Sequence, residues 1–243
     1  MWHFQRIDPL QLFPFKYISV VGAGGKTTLT EYLAQKLIKD NRSVVITTTT
    51  KIYAKEPYII IDESGIKEDS FKEPLIRVGK TLEQGKLTAL AFDEIRELGT
   101  YFDVVLVEAD GAKGCSLKFP AHYEPVIPSF SESIVILAGL DSLFRRVEEK
   151  VFRWELMCAS KGLRQDDIIT PSVFLNFFSD HILFKGVDRK KSVVVLNKYD
   201  RVSMKSTAME VAKKVVIKIP EAHVIVSSLL YDLFYGINHI QFP

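Results

Sequence analysis

Short, nearly continuous apolar runs alternate with amphipathic stretches along this chain. Residues Tyr17 to Val21, Ser43 to Thr49, Asp103 to Glu108, Ser133 to Ala138, Ser192 to Leu196 and His223 to Val226 are rich in β-branched residues and lack two-residue alternation. Such runs suit strands buried on both faces, as in a parallel sheet. Between the first two, Thr28 to Asp40 reads as a helix with Leu29, Leu33 and Leu37 on one face, and Asn41 as its stop. Leu87, Ala91, Ile95 and Leu98 predict a second helix over 87–98. Pro171 suits the first turn of a helix running toward Asp180, and Ser203 to Lys218 reads as a further helix closed by Pro220. Strand–helix alternation predicts an α/β fold, a mostly parallel sheet with helices on both faces and right-handed connections. Residues 140–185 read as helical and suit a small cap on one domain spanning 1–243. Residues 110–130, broken by Gly111, Gly114, Pro120, Pro125 and Pro128, read as a long loop. Loops of that length are commonly functional or disordered.

Composition narrows the function. Of the 243 residues, 47% are hydrophobic and 26% charged, which excludes wholesale disorder. Thirty-two basic and 30 acidic residues leave a formal charge of +2, so no global bias toward nucleic acid or an anionic membrane is expected. The two cysteines, Cys115 and Cys158, are too few for a disulfide framework or a four-thiolate zinc site and suit a reducing, cytoplasmic setting. Asp8 and Pro9 interrupt any signal-like apolar run, and no stretch has the length of a membrane span.

The segment Ile18-Ser-Val-Val-Gly22-Ala23-Gly24-Gly25-Lys26-Thr27-Thr28 predicts a strand, a glycine loop and a helix start. That is the context of a phosphate-binding loop, and it marks the fold as P-loop NTPase-like. Glycines let backbone amides turn toward an anion, and the helix N-terminus adds its dipole. Lys26 is expected to reach the β and γ phosphates, Thr27 to coordinate Mg2+ and Thr28 to touch an α phosphate. Val20 occupies the position of the first glycine in the longer loop, so the segment resembles the shorter Gly-x-x-Gly-Lys-Thr version of Mur-type ligases. The strand ending in Glu108-Ala-Asp110 brings two acids to the end of the sheet where ligands bind in such folds. Either one suits a metal ligand or a water-orienting role. The run Thr47 to Thr50 followed by Lys51 reads either as β-prone threonines or as an element sensing the γ phosphate.

Asn197-Lys198-Tyr199-Asp200 after an apolar strand resembles the guanine-specificity motif of GTPases. One carboxylate accepts two hydrogen bonds from guanine, and adenine would leave it unsatisfied. Asn197 would bond the base or tie loops together, the Lys198 stem would lie along the ring, and Ser227 would close over the base. These motifs predict Mg2+ with GTP, or ATP as the second choice. No arginine finger is identifiable.

With these residues in place, the chain resembles the selenium-dependent hydroxylase accessory protein family, YqeC-like. The resemblance rests on Val21 to Thr28, Thr47 to Lys51, Val107-Glu-Ala-Asp-Gly-Ala-Lys113-Gly with Leu117-Lys118, His122-Tyr-Glu124-Pro-Val-Ile-Pro128, and Asn197 to Asp200. Cys115, and Trp154 after Arg153, depart from the family pattern. The resemblance implies a P-loop accessory factor in maturing selenium-dependent molybdenum hydroxylases, with a hydroxylase or its cofactor as partner. Lys113, Lys118, His122 and Glu124 lie in the long loop and suit a second, anionic ligand such as a molybdopterin-like acceptor; alternatively they are solvated lysines and a structural pair. A thiol at Cys115 beside lysines is expected to ionise more easily than usual if it is reactive. Phe174, Phe177 and Phe178 read as core; Phe234, Tyr235 and Phe242 read as core or a contact between copies. Three activities fit: a Mg2+-dependent GTPase or other NTPase, a phosphotransferase or ligase, and a nucleotide-gated carrier with little turnover.

Overall fold

All six apolar runs become strands of one sheet, and each lies parallel to its neighbours among them. The computed structural model describes residues 2–62, 65–66 and 71–239, so Phe242 lies outside the described residues. In chain order the strands are β1 Trp2–Arg6, β2 Tyr17–Gly22, β3 Val44–Thr48, β4 Lys51–Tyr53, β5 Tyr58–Ile60, β6 Leu75–Gly79, β7 Leu82–Glu83, β8 Lys86–Thr88, β9 Val104–Glu108, β10 Leu117–Lys118, β11 Ser133–Gly139, β12 Val151–Phe152, β13 Ser192–Asn197, β14 His223–Ser228 and β15 Leu233–His239. The helices are α1 Lys26–Lys39, α2 Phe92–Tyr101, α3 Val147–Lys150, α4 Trp154–Lys161, α5 Pro171–Asn176 and α6 Lys205–Lys218. The main sheet runs β1-β15-β14-β13-β11-β2-β9-β3-β6-β5. Only its β15 opposes the common direction, pairing antiparallel with both β1 and β14. The protein is an α/β fold with a mostly parallel sheet.

Side-chain alternation sorts the core onto two faces. Ile18, Val20, Val44, Ile46, Leu106, Val135 and Leu137 meet Leu29, Leu33 and Leu37 of α1 on one face. On the other, Val45, Val105 and Val107 meet Ile95 and Leu98 of α2, while Val21, Ile136, Val194 and Val226 meet Phe174 of α5 and Val211 of α6. Helices thus cover both faces, and the strands are apolar on both, as parallel strands require. Within residues 140–185, Leu143, Val147, Met157, Phe174, Phe177, Phe178 and Phe184 share one buried cluster with the sheet. Among the described residues, no helix is long and apolar enough to cross a membrane.

Two expected helices change extent. The helix predicted over 87–98 begins only at Phe92, because Leu87 belongs to β8. Leu87 is fully buried, and its Cβ fills the space beside Gly79, where an added methyl would come within 2.6 Å of it. A tight turn at Gln84 and Gly85, both with positive φ, pairs β7 with β8 in a hairpin. The Pro171 helix starts as expected, with the Thr170 hydroxyl accepting from the Val173 amide at 3.3 Å, but ends at Asn176.

Candidate nucleotide site

Strands β2, β9, β11 and β13 end together, and their loops build the site. β2 lies between β9 and β11, whereas the helix after β2 leads to β3, two strands away. Such reversals of strand order open a crevice at the C-terminal edge of a sheet.

The loop Gly22 to Gly25 is pressed against the neighbouring strand ends. A Cβ on Gly24 (φ +100°) would stand 2.5 Å from the Gly139 nitrogen, and one on Gly22 (φ +88°) 2.3 Å from the Leu137 oxygen. Only glycine fits there. The amides of Ala23 and Gly24 donate to Leu137 O and Cys115 O at 3.0 Å each, and the Gly22 amide donates to Asp110 Oδ2 at 2.9 Å. The first part of the loop is therefore fastened to the protein. The amides left to face an anion are those of the first turn of α1, at Lys26, Thr27 and Thr28, which have no helical carbonyl behind them. Thr27 and Thr28 are exposed at that turn.

The two acids part company. Glu108 Oε2 accepts from Thr27 Oγ1 at 3.4 Å. Burial pushes the Glu108 carboxyl above its ordinary range, against the pull of Lys26 and of the Thr27 hydroxyl. Asp110 turns instead to the lysines. Its Oδ1 is 2.9 Å from Lys26 Nζ, and its Oδ2 is 3.2 Å from Lys118 Nζ. Lys26 also donates to Gly22 O at 2.6 Å.

The long loop treats its four candidate second-ligand residues in two different ways. Lys118 is only 2% exposed and sits 3.0 Å from Glu124 Oε1; burial lowers its ammonium to about 8. Its Nζ is within ion-pair distance of both carboxylates. Glu124, also buried, pairs with Arg153, which reaches Tyr123 Oη at 3.2 Å. Of the four residues read as a second-ligand set, Lys118 and Glu124 are thus enclosed and bind each other. Lys113 and His122 are exposed. Lys113 Nζ lies 5.8 Å from the centre of the Phe152 ring, and the Arg153 guanidinium 4.7 Å. Lys185 holds the carbonyls of Ala121 and His122 at 2.7 Å each. Cys115 is half-buried, and burial raises its thiol despite Lys198, Lys150 and Lys113 nearby. The expected ease of ionisation is not there.

At the other end of the crevice, Asn197 Nδ2 donates to Gly24 O at 2.8 Å, across 173 residues of sequence. Ser227 Oγ donates to Asn197 Oδ1 at 3.1 Å, so Ser227 stands behind Asn197. Its neighbour Ser228 donates to Asp200 Oδ1 at 2.6 Å. Lys198, in the left-handed region (φ +65°), reaches Ser116 Oγ at 2.9 Å and Asp141 Oδ2 at 3.3 Å. Asp141 also holds Lys150 at 2.9 Å. Burial alone would raise its carboxyl, but the bonds from Lys150 and Ser116 bring it below the ordinary range. No motif flags Asp141 or Arg153. Ser228 was reachable as the next residue of the same strand end.

The threonine run at the end of β3 is spent on the backbone. Thr47, Thr48 and Thr49 donate to Val78 O, Glu108 O and Val126 O at 2.8, 2.7 and 2.6 Å. Lys51 makes an exposed pair with Glu83 at 2.7 Å.

In overall fold the chain is similar to hydrogenase maturation factor HypB from Archaeoglobus fulgidus, with a TM-score of 0.45 and 13% identity over 91% of this chain and 85% of that one. A relative from Escherichia coli (strain K12), described as uncharacterized protein YqeC, is 35% identical over 158 residues. That match spans 61% of this chain and 62% of the relative, less than two thirds of its length. A family model described as YqeC protein matches residues 18–155, from the glycine-loop strand to just past Arg153. That is more than half of the chain, and the chain belongs to the YqeC protein family.

Proposed function

We propose that this protein binds a nucleotide with Mg2+, prefers GTP to ATP, and acts as an NTPase-type accessory factor in maturing selenium-dependent molybdenum hydroxylases. The observation that carries the nucleotide reading is the bond from Asn197 Nδ2 to Gly24 O. It ties the loop bearing Asp200 to the glycine loop bearing Lys26, so that one crevice has a base end and a phosphate end. Ser228 fixes one oxygen of Asp200 at 2.6 Å, and in this reading the carboxylate accepts from the base.

The residues present fit Mg2+. The Thr27 hydroxyl and Glu108 Oε2 lie 3.4 Å apart, and Glu108 is a carboxylate starved of solvent. Thr27 and Glu108 would hold the ion, directly or through water, and the ion would offset phosphate charge. Asp110 serves the lysines in this reading. The first-turn amides and Lys26 bind the phosphates. The hydroxylase or its cofactor is the partner proposed from the family resemblance.

Calorimetry with GTP and ATP analogues, each with Mg2+, tests the reading. GTP binds more tightly than ATP to the unmodified protein, and Asp200→Asn lowers GTP affinity about a hundredfold while sparing ATP. An unchanged preference in D200N refutes the base assignment. A second reading, phosphoryl transfer to an anionic acceptor, is favoured by Lys113 and Arg153 flanking the Phe152 ring. It requires turnover that depends on an acceptor, whereas a carrier shows nucleotide-dependent partner binding with little turnover.

A further inference from the structure

Lys26 is engaged by groups of the protein itself. Its ammonium lies 2.6 Å from Gly22 O and 2.9 Å from Asp110 Oδ1, with both charged side chains almost wholly buried. Binding a phosphate at the first turn of α1 draws Lys26 off Asp110. A buried carboxylate that loses its cation is strongly destabilised, so the exchange would be costly if Asp110 had no other partner.

Asp110 has one. Whereas Lys26 pairs with Asp110 Oδ1, Lys118 Nζ stands 3.2 Å from Oδ2. The Gly22 amide, 2.9 Å from the same oxygen, keeps the carboxylate from swinging after Lys26. Lys118 is itself balanced by Glu124 at 3.0 Å, and Glu124 by Arg153, whose side chain is 21% exposed. Lys26, Asp110, Lys118, Glu124 and Arg153 form a row of alternating charge from the glycine loop to the surface. Each carboxylate in it lies between two cations.

We infer that Lys118 is a positioning residue for nucleotide binding: it is the standing counter-ion that keeps Asp110 neutralised when Lys26 moves to the phosphate. This rests on the nucleotide reading above. It assigns Lys118 a role inside the protein in place of contact with a second ligand.

The test is a double-mutant cycle on the full chain, read as the dissociation constant of Mg2+ with a non-hydrolysable GTP analogue. Lys118→Met weakens binding at least about tenfold, because Asp110 then retains Lys26. In the D110N background, where no carboxylate is stranded, K118M changes affinity less than about threefold. A role in packing alone predicts the same loss in both backgrounds, and that result overturns the inference while leaving nucleotide binding intact. Absence of GTP and ATP binding by the unmodified protein overturns the nucleotide reading and this inference with it. Should K118M fail to fold, K118M/E124Q removes one charge of each sign, and the same comparison is made with and without D110N.

Discussion

In the proposed nucleotide site, the end assigned to phosphate and the end assigned to the base are held by different forces. At the phosphate end, Lys26, Glu108, Asp110, Lys118 and Glu124 are all at most 6% exposed and are positioned by charge. At the base end, Asn197, Ser227, Ser228 and Asp200 are positioned by neutral or singly charged hydrogen bonds. Coulombic interactions are strong where water is excluded, and so are the penalties for breaking them. Asn197, Ser227 and Ser228 are just as buried, but their bonds join neutral groups or involve a single charge, and such bonds are individually modest. The phosphate end is thus expected to be intolerant of change, and the base end adjustable.

Gly24→Ala sharpens this contrast most. It places a Cβ 2.5 Å from the Gly139 nitrogen at a φ that L residues rarely adopt. The expected cost is about 3 kcal/mol, or a fall in Tm of roughly 6–12 °C by calorimetry, with loss of nucleotide binding.

Glu108→Gln has a smaller effect of opposite sign on stability. Burial raises the Glu108 carboxyl, so the folded protein holds that proton to higher pH than the unfolded chain does. Stability therefore falls as pH climbs from the ordinary carboxylate range through the raised value. Removing the charge is expected to stabilise the metal-free protein by roughly 1 kcal/mol at pH 7 and to abolish the gain in Tm from Mg2+ with nucleotide. Thermal melts with and without Mg2+ read both effects. A lower Tm for E108Q in the absence of metal would refute the claim that the buried charge of Glu108 is costly to the metal-free protein.

Ser228→Ala is the mildest. It removes one support of Asp200 and is expected to weaken GTP binding about fivefold, roughly 1 kcal/mol, with ATP binding and Tm little changed. An effect on ATP equal to that on GTP would mean that the base end is not a separate reader.

Much of the frame was legible because parallel strands buried on both faces need long apolar runs, and six of them stood out. The edge was not legible. β1 and β15 pair with each other and cover no second layer as completely, so their sequences carry polar residues, as in Trp2-His-Phe-Gln-Arg6. Leu87 misled because a buried strand residue and a helix-face residue are equally apolar, and spacing to Ile95 does not distinguish them.

The local chemistry of the site was also in the sequence. The glycines before Lys26, the acids ending β9, and Asn197 with Asp200 after β13 are each local features, set by short-range backbone geometry and by which residue types can bear a given charge or bond. The tertiary structure decided how those pieces are shared out. It set Glu108 beside Thr27 and gave Asp110 to two lysines. It enclosed Lys118 with Glu124, brought Arg153 to that pair, placed Ser227 behind Asn197, and raised the Cys115 thiol. Each of these outcomes depends on distance, alignment and exclusion of water between residues far apart in the chain, and none of those quantities is a property of a local segment.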